Sequence, residues 1–505
     1  MASEPASSEA TETYDAFVTK VKRLSNIGNA AGVLRWDQEV MMPEGGVTAR
    51  AEQLSTLSAL VHEELTDEEM GEFLEGVAGE TLSEGQRAVV REVRRRYDRN
   101  TRVETELVEE ISRTTSEAHP LWSEARAEDD FEAFAPALEE LVDLKREYAR
   151  QIDPDADPYA VLFADYEPYL DLETAEAILG ELRDELVPLI DAIGESDADL
   201  ATEALRGGEF DADTQEALAR DALDLLGYDW DRGRLDTAPH PFSTGTQFDA
   251  RVTTRYDEAD PIGAVMSTIH EFGHATYTLG LPDDHYGTPL GSARDLTVHE
   301  SQSRFWENHV GRTRAFWELF LPTVGERFPQ LSGVGVEEAY EAVNQVYDDN
   351  LIRVEADELT YHLHIVIRFE VERALIAGDI EVDEVPELWN DKYEEYLGIR
   401  PETDSEGCLQ DIHWSHGSFG YFPTYSLGSV LAAQLDATIR EEYDVDALVE
   451  DGEFGPIHDW LTENVHRHGC RYTTPDLVEV ATGDPYSAEP FVEYVTEKYD
   501  ALYDL

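Results

Sequence analysis

Apolar residues recur every three or four positions along most of this chain, and that spacing is typical of amphipathic α-helices. Within residues 175–195 (AEAILGELRDELVPLIDAIGE), one apolar stripe consists of Ile178, Leu182, Leu186 and Ile190. Residues 235–256 (LDTAPHPFSTGTQFDARVTTRY) differ, because they are rich in Thr and lack a helical period. They predict a small hairpin or extended segment. We therefore predict an all-α fold with little β structure.

The organisation of the chain indicates one large helical domain. Its 505 residues are enough for a large core. Pro, Gly and Asp cluster at residues 153–160, 205–213 and 398–407, but none of these interruptions is long enough to be a flexible linker. We predict a disordered acidic tail over residues 1–12, which lack the basic and apolar regions of a signal peptide. Residues 13–505 are predicted to form a single domain that a cleft divides into two lobes.

Acidic residues dominate the composition. There are 110 Asp and Glu against 38 Lys and Arg, and the formal net charge is −72. The field of such a chain repels phosphates, which argues against binding nucleic acid or an anionic membrane. No apolar run reaches the roughly 18 residues that are needed to cross a bilayer. Because molar salt shortens the Debye length to about 3 Å and screens the self-repulsion, we predict a cytoplasmic protein of an extreme halophile.

A helix with well-marked ends is predicted over residues 261–280. Asp260 and Pro261 form a typical N-cap and first-turn pair, and Gly280 followed by Pro282 is a typical stop. Helical spacing places four residues on one face: Val265, Ile269, Phe272 and Thr276. It places four others on a second face: Ser267, His270, His274 and Tyr277. The second face therefore presents two histidines one turn apart.

These two histidines belong to the pattern His-Glu-x-x-His. On a helix His270 and His274 differ by about 40° and rise by about 6 Å, so both rings can reach one metal ion at about 2.0–2.1 Å. Glu271 lies beside them, where it can take a proton from the attacking water. Glu300, which opens another predicted helical segment 26 residues after His274, is the candidate third ligand. The alternative is that the histidines are structural and that Glu300 is a solvated surface residue.

Nine motifs are spread in order through nearly the whole chain. They are LRWDQEVMMPEGGVTARAEQLSTL (34–57), HPF (240–242), DARVT (249–253), HEFGH (270–274), HESQSR (299–304), IRVEADELTYHLHI (352–365), GIRP (398–401), DIHWSHGSFGYFPTYSLG (411–428) and ENVHRHG (463–469). This ordered set resembles the carboxypeptidase Taq family of metallocarboxypeptidases. The resemblance implies an all-helical zincin fold of the neurolysin type with a deep substrate groove. It also implies a homodimer that removes single residues from the C-termini of peptides.

The same resemblance implies roles for four residues. It makes His270, His274 and Glu300 the metal ligands and Glu271 the general base. Two imidazoles and a carboxylate suit one Zn²⁺ ion, which is our first choice, but they also suit Co²⁺ and other divalent ions.

A carboxypeptidase must also bind the free C-terminal carboxylate of its substrate, and a guanidinium does so through two parallel hydrogen bonds. The leading candidates are Arg353 and Arg400, followed by Arg251. A hydrogen-bond donor to the oxyanion is expected, and the candidates are Tyr421, Tyr425, His413 and His416. His240 is a further candidate substrate contact. Each of these residues can instead have a structural partner, since carboxylates are abundant and aromatic rings pack in loops.

Two other functions remain compatible with the sequence. One is a metallo-oligopeptidase of related helical fold, which cuts inside short peptides and needs no free C-terminus. The other is a non-enzymatic helical binding or scaffold protein whose histidines are structural. Cleavage of a peptide with a blocked C-terminus distinguishes the first from a carboxypeptidase, and metal affinity distinguishes the second.

Overall fold

The computed structural model describes residues 8–78, 81–347 and 351–505. The first part of the chain contains the helices α1 (Ser8–Val40), α2 (Val47–Thr66), α3 (Glu68–Ala78), α4 (Glu84–Arg102), α5 (Thr105–Glu128), α6 (Phe131–Ile152), α7 (Pro158–Phe163), α8 (Leu172–Glu195) and α9 (Ala212–Leu226). The second part contains α10 (Pro261–Gly280), α11 (Leu296–Arg304), α12 (Arg314–Arg327), α13 (Val336–Asn344), α14 (Thr360–Ala377), α15 (Val385–Leu397), α16 (Pro423–Glu442), α17 (Val445–Glu450), α18 (Gly455–Asn464), α19 (Thr474–Thr482) and α20 (Glu489–Tyr503). A π-helical segment, Phe305–Gly311, continues α11 without a break. The prediction of an all-α fold with little β structure is confirmed.

Helix α8 shows how the local sequence produces these elements. Its N-cap, Asp171, accepts a hydrogen bond from the backbone N–H of Thr174 at 2.7 Å, as short polar residues do where helices begin. All members of the predicted apolar stripe are buried except Ile190, which is half-buried. The buried stripe packs α8 against α14, α16 and α20, so its spacing of three and four residues becomes a tertiary contact.

The segment predicted to be extended, residues 235–256, forms most of a three-stranded sheet. Its strands are β1 (Gly233–Thr237), β2 (Ser243–Thr246) and β3 (Asp249–Thr254). β2 and β3 pair antiparallel as the predicted hairpin. β1 pairs parallel with β3, so the strand order is β1, β3, β2 and strand β2 lies at an edge. Because α10 packs against β2 and β3, this edge lies beside the helix that carries the two histidines.

Three apolar clusters form the interior, and α16 links two of them. One cluster is built mainly from α5 to α8, α14, α15 and α20, another from α9 to α13 and α17 to α19, and the third from α1 to α4. Leu427 and Val430 of α16 belong to the first cluster, whereas Leu431 and Leu435 belong to the second. α16 also packs against α11, and α11 packs against α10, the helix that carries the two histidines. Both α10 and α11 are therefore supported by the interior of the protein.

The N-terminal end differs in part from the tail predicted over residues 1–12. Residues 1–7 lie outside the described part of the chain, whereas α1 begins at Ser8 and so includes residues 8–12. Ala and Glu, which are both good helix formers, are frequent in this stretch. Among the described helices, none combines the length and the apolar character that crossing a membrane requires.

Candidate metal centre

Helix α10 begins and ends where its sequence predicts. Asp260 is the N-cap, and its Oδ1 accepts hydrogen bonds from the backbone N–H groups of Ile262 and Gly263. On the predicted apolar face, three residues are fully buried in the core: Val265, Ile269 and Phe272. Because this face is anchored, the rotation of the helix about its axis is set, and with it the direction of the opposite face.

His270 and His274 lie on that opposite face, with their ring centroids 4.9 Å apart. Tyr277, which was predicted to share this face, is fully buried, with its ring 5.5 Å from that of His299. Its hydroxyl accepts a hydrogen bond from the backbone N–H of Arg294 at 3.0 Å, and this partner allows the polar end of the ring to be buried.

Helix α11 brings the candidate third ligand to the two histidines. The helix begins at Leu296, because Asp295 caps it by accepting a hydrogen bond from the backbone N–H of Val298 at 3.1 Å. The sequence had predicted that Glu300 opens this helix. Glu300 instead lies inside it, four residues after Leu296. It is buried, with 9% of its surface exposed, so it is not a solvated first-turn glutamate.

Two glycines allow the close packing around Glu300. A Cβ atom at Gly273, inside the HEFGH motif, would lie 2.4 Å from the carbonyl oxygen of Gln302 and 2.6 Å from the Cα of Ser303. A Cβ atom at Gly428 of α16 would lie 2.4 Å from the Cβ of Glu300. Since both contacts are too short for any side chain, only glycine lets α10, α11 and α16 approach each other this closely.

Three side-chain atoms converge between α10 and α11. They are Nε2 of His270, Nε2 of His274 and Oε2 of Glu300, and this oxygen lies 3.8 Å from the first nitrogen and 3.5 Å from the second. Ligands about 2.1 Å from a tetrahedral ion lie about 3.4 Å apart, so the observed spacing fits one divalent ion. The three side chains are between 11% and 19% exposed, so each keeps a small accessible area.

Hydrogen bonds to the other ring nitrogens orient both imidazoles. Nδ1 of His270 lies 2.8 Å from Oε2 of Glu307, which belongs to the π-helical segment. Nδ1 of His274 lies 3.0 Å from the carbonyl oxygen of His299, and burial lowers the pKa of the His299 ring to about 3, so that ring is neutral. A carboxylate and a carbonyl oxygen can only accept, so in these two hydrogen bonds both Nδ1 atoms donate and both Nε2 atoms keep the lone pairs that bind metals. Nδ1 of His299 lies 2.6 Å from Nδ1 of His274 and can accept from it as well.

Two half-buried arginines, Arg304 and Arg312, balance the carboxylates around the histidines. Arg304 donates from Nε to Oε1 of Glu300 at 2.8 Å and from Nη1 to Oε2 of Glu307 at 3.1 Å. Arg312 donates to Oε1 of Glu307 at 3.1 Å. Burial opposes ionisation, but Arg304 and His270 outweigh it and hold the pKa of Glu300 and the pKa of Glu307 well below their usual range. Because Arg304 occupies Oε1 of Glu300, Oε2 remains to bind an ion.

Replacing Glu307 with Gln is expected to weaken metal binding by about 10–100-fold, because hydrogen-bonded partners of ligating histidines contribute that much to metal affinity. The amide keeps the volume of the side chain but removes the charge that holds the Nδ1 proton of His270. Competition with a chelator measures the affinity, and Glu318→Gln on the exposed face of α12 is the matched control. Unchanged affinity in the Glu307 variant would show that this hydrogen bond does not orient the ligand.

Glu271 lies next to the converging atoms and is only 6% exposed. Its Oε2 has no hydrogen-bond partner among the described residues. Burial raises the pKa of this carboxyl, against the opposing effect of His274 and His270. The hydroxyl of Ser243, on the edge strand β2, also interacts with it. A buried carboxyl with a raised pKa and a free oxygen has the properties of a group that accepts a proton and passes it on.

Four of the substrate-binding candidates are brought together near this centre. The ring of Tyr421 lies 5.3 Å from the ring of His413 and 5.3 Å from that of Tyr425. The guanidinium carbon of Arg353 lies 5.2 Å from the ring of Tyr425. These residues come from two separate motifs of the sequence, residues 352–365 and 411–428, and only the packing of the chain joins them.

Tyr361 connects this group to the converging atoms. Its ring lies 4.8 Å from the guanidinium carbon of Arg304, the residue that holds Glu300. Its hydroxyl accepts a hydrogen bond from Nη1 of Arg353 at 3.3 Å. Asp411 accepts from the other two nitrogens of Arg353, at 3.0 and 2.8 Å, so this guanidinium is held in a defined orientation.

Arg251 and His240 belong to the region of the three-stranded sheet. Arg251, on β3, donates two hydrogen bonds to Asp249, at 2.9 and 2.6 Å. Its guanidinium carbon also lies 4.2 Å from the ring of Trp36 of α1. His240 is exposed in the segment that precedes β2. Both residues are thus next to the strand whose Ser243 interacts with Glu271.

The structure does not bring Arg400 and His416 to the converging atoms. The ring of His416 is exposed and lies 5.2 Å from the ring of His119. Arg400 follows α15 at the surface and donates hydrogen bonds to Asp391, Glu394 and Glu387. None of these partners belongs to the centre, so abundant surface carboxylates satisfy this guanidinium.

Sequence reasoning missed three residues that hold the centre: Arg304, Glu307 and Gly428. The first two lie four and seven positions after Glu300, which is the spacing of one helical face, so their proximity could have been inferred. No pattern in the sequence marks Gly428, because its role depends on the approach of α16 to α11.

Comparisons with known proteins identify the family of the chain. A sequence model of the carboxypeptidase Taq (M32) metallopeptidase family matches residues 16–499. The chain is 40% identical over 502 residues to a thermostable carboxypeptidase 1 of Thermus thermophilus, covering 96% of this chain and 98% of the relative. It is 37% identical over 501 residues to carboxypeptidase 1 of Bacillus subtilis, covering 97% and 99%.

Comparison with solved structures identifies the same family. The crystal structure of an M32 carboxypeptidase from Deinococcus radiodurans matches with a TM-score of 0.94 at 38% identity, covering 98% of this chain and 100% of that one. A carboxypeptidase structure from Pyrococcus furiosus also matches with a TM-score of 0.94, at 40% identity, covering 97% and 99%. These matches extend over the sheet and the helices that carry the converging atoms. The chain is a metal-dependent carboxypeptidase and belongs to the carboxypeptidase Taq (M32) family of metallopeptidases.

Proposed function

We propose that His270, His274 and Glu300 together hold one divalent ion, with Zn²⁺ as the physiological metal and Co²⁺ or another divalent ion as a substitute. The convergence of their three ligand atoms beside the buried carboxyl of Glu271 carries this proposal. When bound, such an ion polarises the substrate carbonyl and lowers the pKa of water to near neutrality. Two neutral imidazoles and one carboxylate are a donor set that zinc accepts.

Glu271 is the proposed general base. It takes a proton from the attacking water and passes it to the leaving amine. Its unpartnered Oε2 leaves room for the water, and its raised pKa supports both the uptake and the release of the proton.

Arg353 is the proposed anchor for the C-terminal carboxylate of the peptide. Asp411 and Tyr361 hold its guanidinium in place, so little side-chain freedom is lost when a carboxylate binds. The neighbouring Tyr421, Tyr425 and His413 are the proposed donors to the substrate and the oxyanion. Arg251 and His240 are proposed contacts on the sheet side, whereas Arg400 and His416 have no link to the centre that would support a role.

Cleavage of a short peptide with a free C-terminus is expected to produce a ladder that loses one residue at a time, and a chelator should stop it. The same peptide with a C-terminal amide should be cleaved at least about 30-fold more slowly, because a close charge pair contributes about 2–5 kcal/mol. Mass spectrometry over time measures both. Internal fragments, or equal cleavage of the amide, would identify a metallo-oligopeptidase instead.

We also propose that the protein comes from an extreme halophile, on the strength of its 110 acidic against 38 basic residues. Lowering the salt from molar to about 0.1 M lengthens the Debye length from about 3 Å to about 10 Å, so repulsion between the carboxylates increases. We expect the helical signal in circular dichroism to be lost over this range. Sucrose of equal osmolality is the control, since it does not screen charge. Full retention of helix at low salt would contradict a halophilic origin.

We further propose that the protein is a cytoplasmic homodimer and that it binds no nucleic acid. The dimer is supported by the family resemblance, and the exclusion of nucleic acid by the net charge of −72. Light scattering in molar salt tests the dimer, and a monomeric mass would rule it out.

A further inference from the structure

A cavity of about 520 Å³ lies between α4, the C-terminal end of α6 and α7. Its volume is in the range of sites that bind small molecules or side chains. Five of its lining residues are arginines on successive turns of α4: Arg91, Arg94, Arg95, Arg99 and Arg102. Tyr169 lies among them, with its ring centroid 5.0 Å from the guanidinium carbon of Arg91 and 5.8 Å from that of Arg95.

The charge of this cavity is opposite to that of the chain. Acidic residues outnumber basic ones by 110 to 38 in the whole sequence, but the lining has five arginines against two acidic residues, Asp98 and Asp153. An excess of positive charge in a concave surface concentrates the field and attracts anions. A protein that has so few basic residues places several of them here.

Backbone contacts hold three of these guanidiniums in place. Arg95 donates to the carbonyl oxygen of Ala164. Arg99 donates to the carbonyl oxygen of Val161 at 2.9 Å, and Arg102 donates to the C-terminal carbonyl of α6 at 3.0 Å. A guanidinium has five N–H donors, so donors remain available after these contacts. Fixed side chains with spare donors lose little entropy when they bind a carboxylate.

Three of the lining arginines have carboxylate partners outside the lining: Arg91 pairs with Glu92 at 2.7 Å, Arg94 with Glu75 at 3.5 Å, and Arg99 with Asp165. Among the described residues, Arg95 and Arg102 have no ion pair. Burial lowers the pKa of the Arg95 guanidinium below its ordinary value, and repulsion from Arg99 adds to this effect. Burial also lowers the pKa of Lys145, on α6, although Asp165 opposes the shift. In both cases burial is the largest cause of the shift, ahead of the neighbouring charges.

A short segment links the cavity to the candidate substrate-binding residues. Asp165 accepts a hydrogen bond from Arg99 of the cavity. The next residue, Tyr166, has its ring 5.0 Å from the ring of Tyr421. Tyr421 in turn contacts Tyr425, next to Arg353. The cavity is therefore linked, through Tyr166, to Tyr421, one of the proposed donors to the substrate.

We propose that this arginine-lined cavity is a subsite for acidic side chains of the peptide substrate, upstream of the bond that is cut. The inference rests on the proposed function, since it needs a peptide held at its C-terminus. Carboxylates fit the fork of a guanidinium through two parallel hydrogen bonds.

The test uses two ten-residue peptides that share their last four residues and carry either Glu or Gln at the upstream positions. In molar salt the Glu peptide is expected to have about tenfold higher kcat/KM, mainly through KM, because each of a few ion pairs contributes a modest gain. Arg95→Gln and, separately, Arg102→Gln are expected to bring the ratio of the two kcat/KM values toward one. The ratio is taken within each preparation, so a loss of folded enzyme cancels.

Arg113→Gln is the matched control, because Arg113 is an exposed arginine of α5 paired with Glu110, Glu117 and Glu140. This variant is expected to keep the wild-type ratio. A ratio near one in the wild-type enzyme would overturn the proposal, and so would an unchanged ratio in both cavity variants.

Failure of the subsite and failure of the proposed function give different results. Cleavage of both peptides without preference overturns the subsite alone. If neither peptide is cleaved, the proposed function fails, and binding of the two fluorescently labelled peptides to the metal-loaded protein still decides the subsite. Tighter binding of the Glu peptide supports it, whereas equal binding overturns it. Binding of inorganic phosphate in the cavity without any peptide preference would assign the cavity to a small anion and overturn the proposal.

Discussion

Replacement of Glu271 with Gln is expected to abolish hydrolysis and to leave the divalent ion in place. The amide has nearly the shape of the carboxyl, but it cannot take a proton from water. One well-placed general base contributes about 10²–10⁴-fold in rate, so kcat should fall by about that factor. KM should change much less, because Glu271 is not among the residues proposed to bind the peptide or the ion. Turnover of an unblocked peptide by mass spectrometry and metal content by atomic emission measure the two effects.

Glu258→Gln is the control for this variant, because Glu258 is exposed just before α10. It carries the same chemical change and is expected to keep wild-type turnover and metal content. Wild-type turnover in the Glu271 variant would exclude that residue as the base. Loss of the ion together with turnover would give Glu271 a structural role in place of the proposed one.

Substitution of Gly428 by Ala is expected to displace Glu300 and weaken metal binding by at least about tenfold, in line with other residues that orient metal ligands. The added Cβ would lie 2.4 Å from the Cβ and 2.5 Å from the Cγ of Glu300. These atoms are close to the backbone of α11, so they cannot move aside as the end of a flexible side chain can. Overpacking of this kind typically costs about 1–3 kcal/mol of stability. Chelator competition and denaturant unfolding in molar salt measure the two effects.

Gly180→Ala on α8 is the matched control, because a Cβ atom there meets nothing within 4 Å. Replacing a helical Gly with Ala at an open position stabilises by about 1 kcal/mol. The two substitutions are chemically identical, so opposite effects on stability isolate the contact with Glu300. Full metal affinity in the Gly428 variant would show that α16 does not position this ligand.

The helix over residues 261–280 was predictable because its determinants are local. A polar N-cap, a proline in the first turn and a Gly-Pro stop act within a few residues, and the structure places the ends as predicted. The pairing of His270 with His274 follows from the helical repeat alone. The same repeat placed Tyr277 on the polar face. Its burial was not predictable from the repeat, because the backbone N–H of Arg294, outside the helix, gives the buried hydroxyl its partner.

The choice among the candidate arginines was not predictable from the residues. Arg353 and Arg400 both follow a hydrophobic residue in short motifs, and carboxylates surround basic residues everywhere in so acidic a chain. The structure holds Arg353 next to Tyr361 and the centre, and leaves Arg400 among surface carboxylates. Propensity and periodicity describe which face a residue occupies, but not which distant element meets that face.

The sequence by itself determined the helical class, the ends of α10 and the pairing of two histidines with an adjacent carboxyl, because hydrogen bonding within a helix and its 3.6-residue repeat act over short distances. Only the tertiary structure decided that Glu300 lies within a buried helix, that Glu307 orients His270, and that Gly428 allows the contact. These features depend on close packing between helices far apart in the chain, where differences of about one ångström determine which side chains meet.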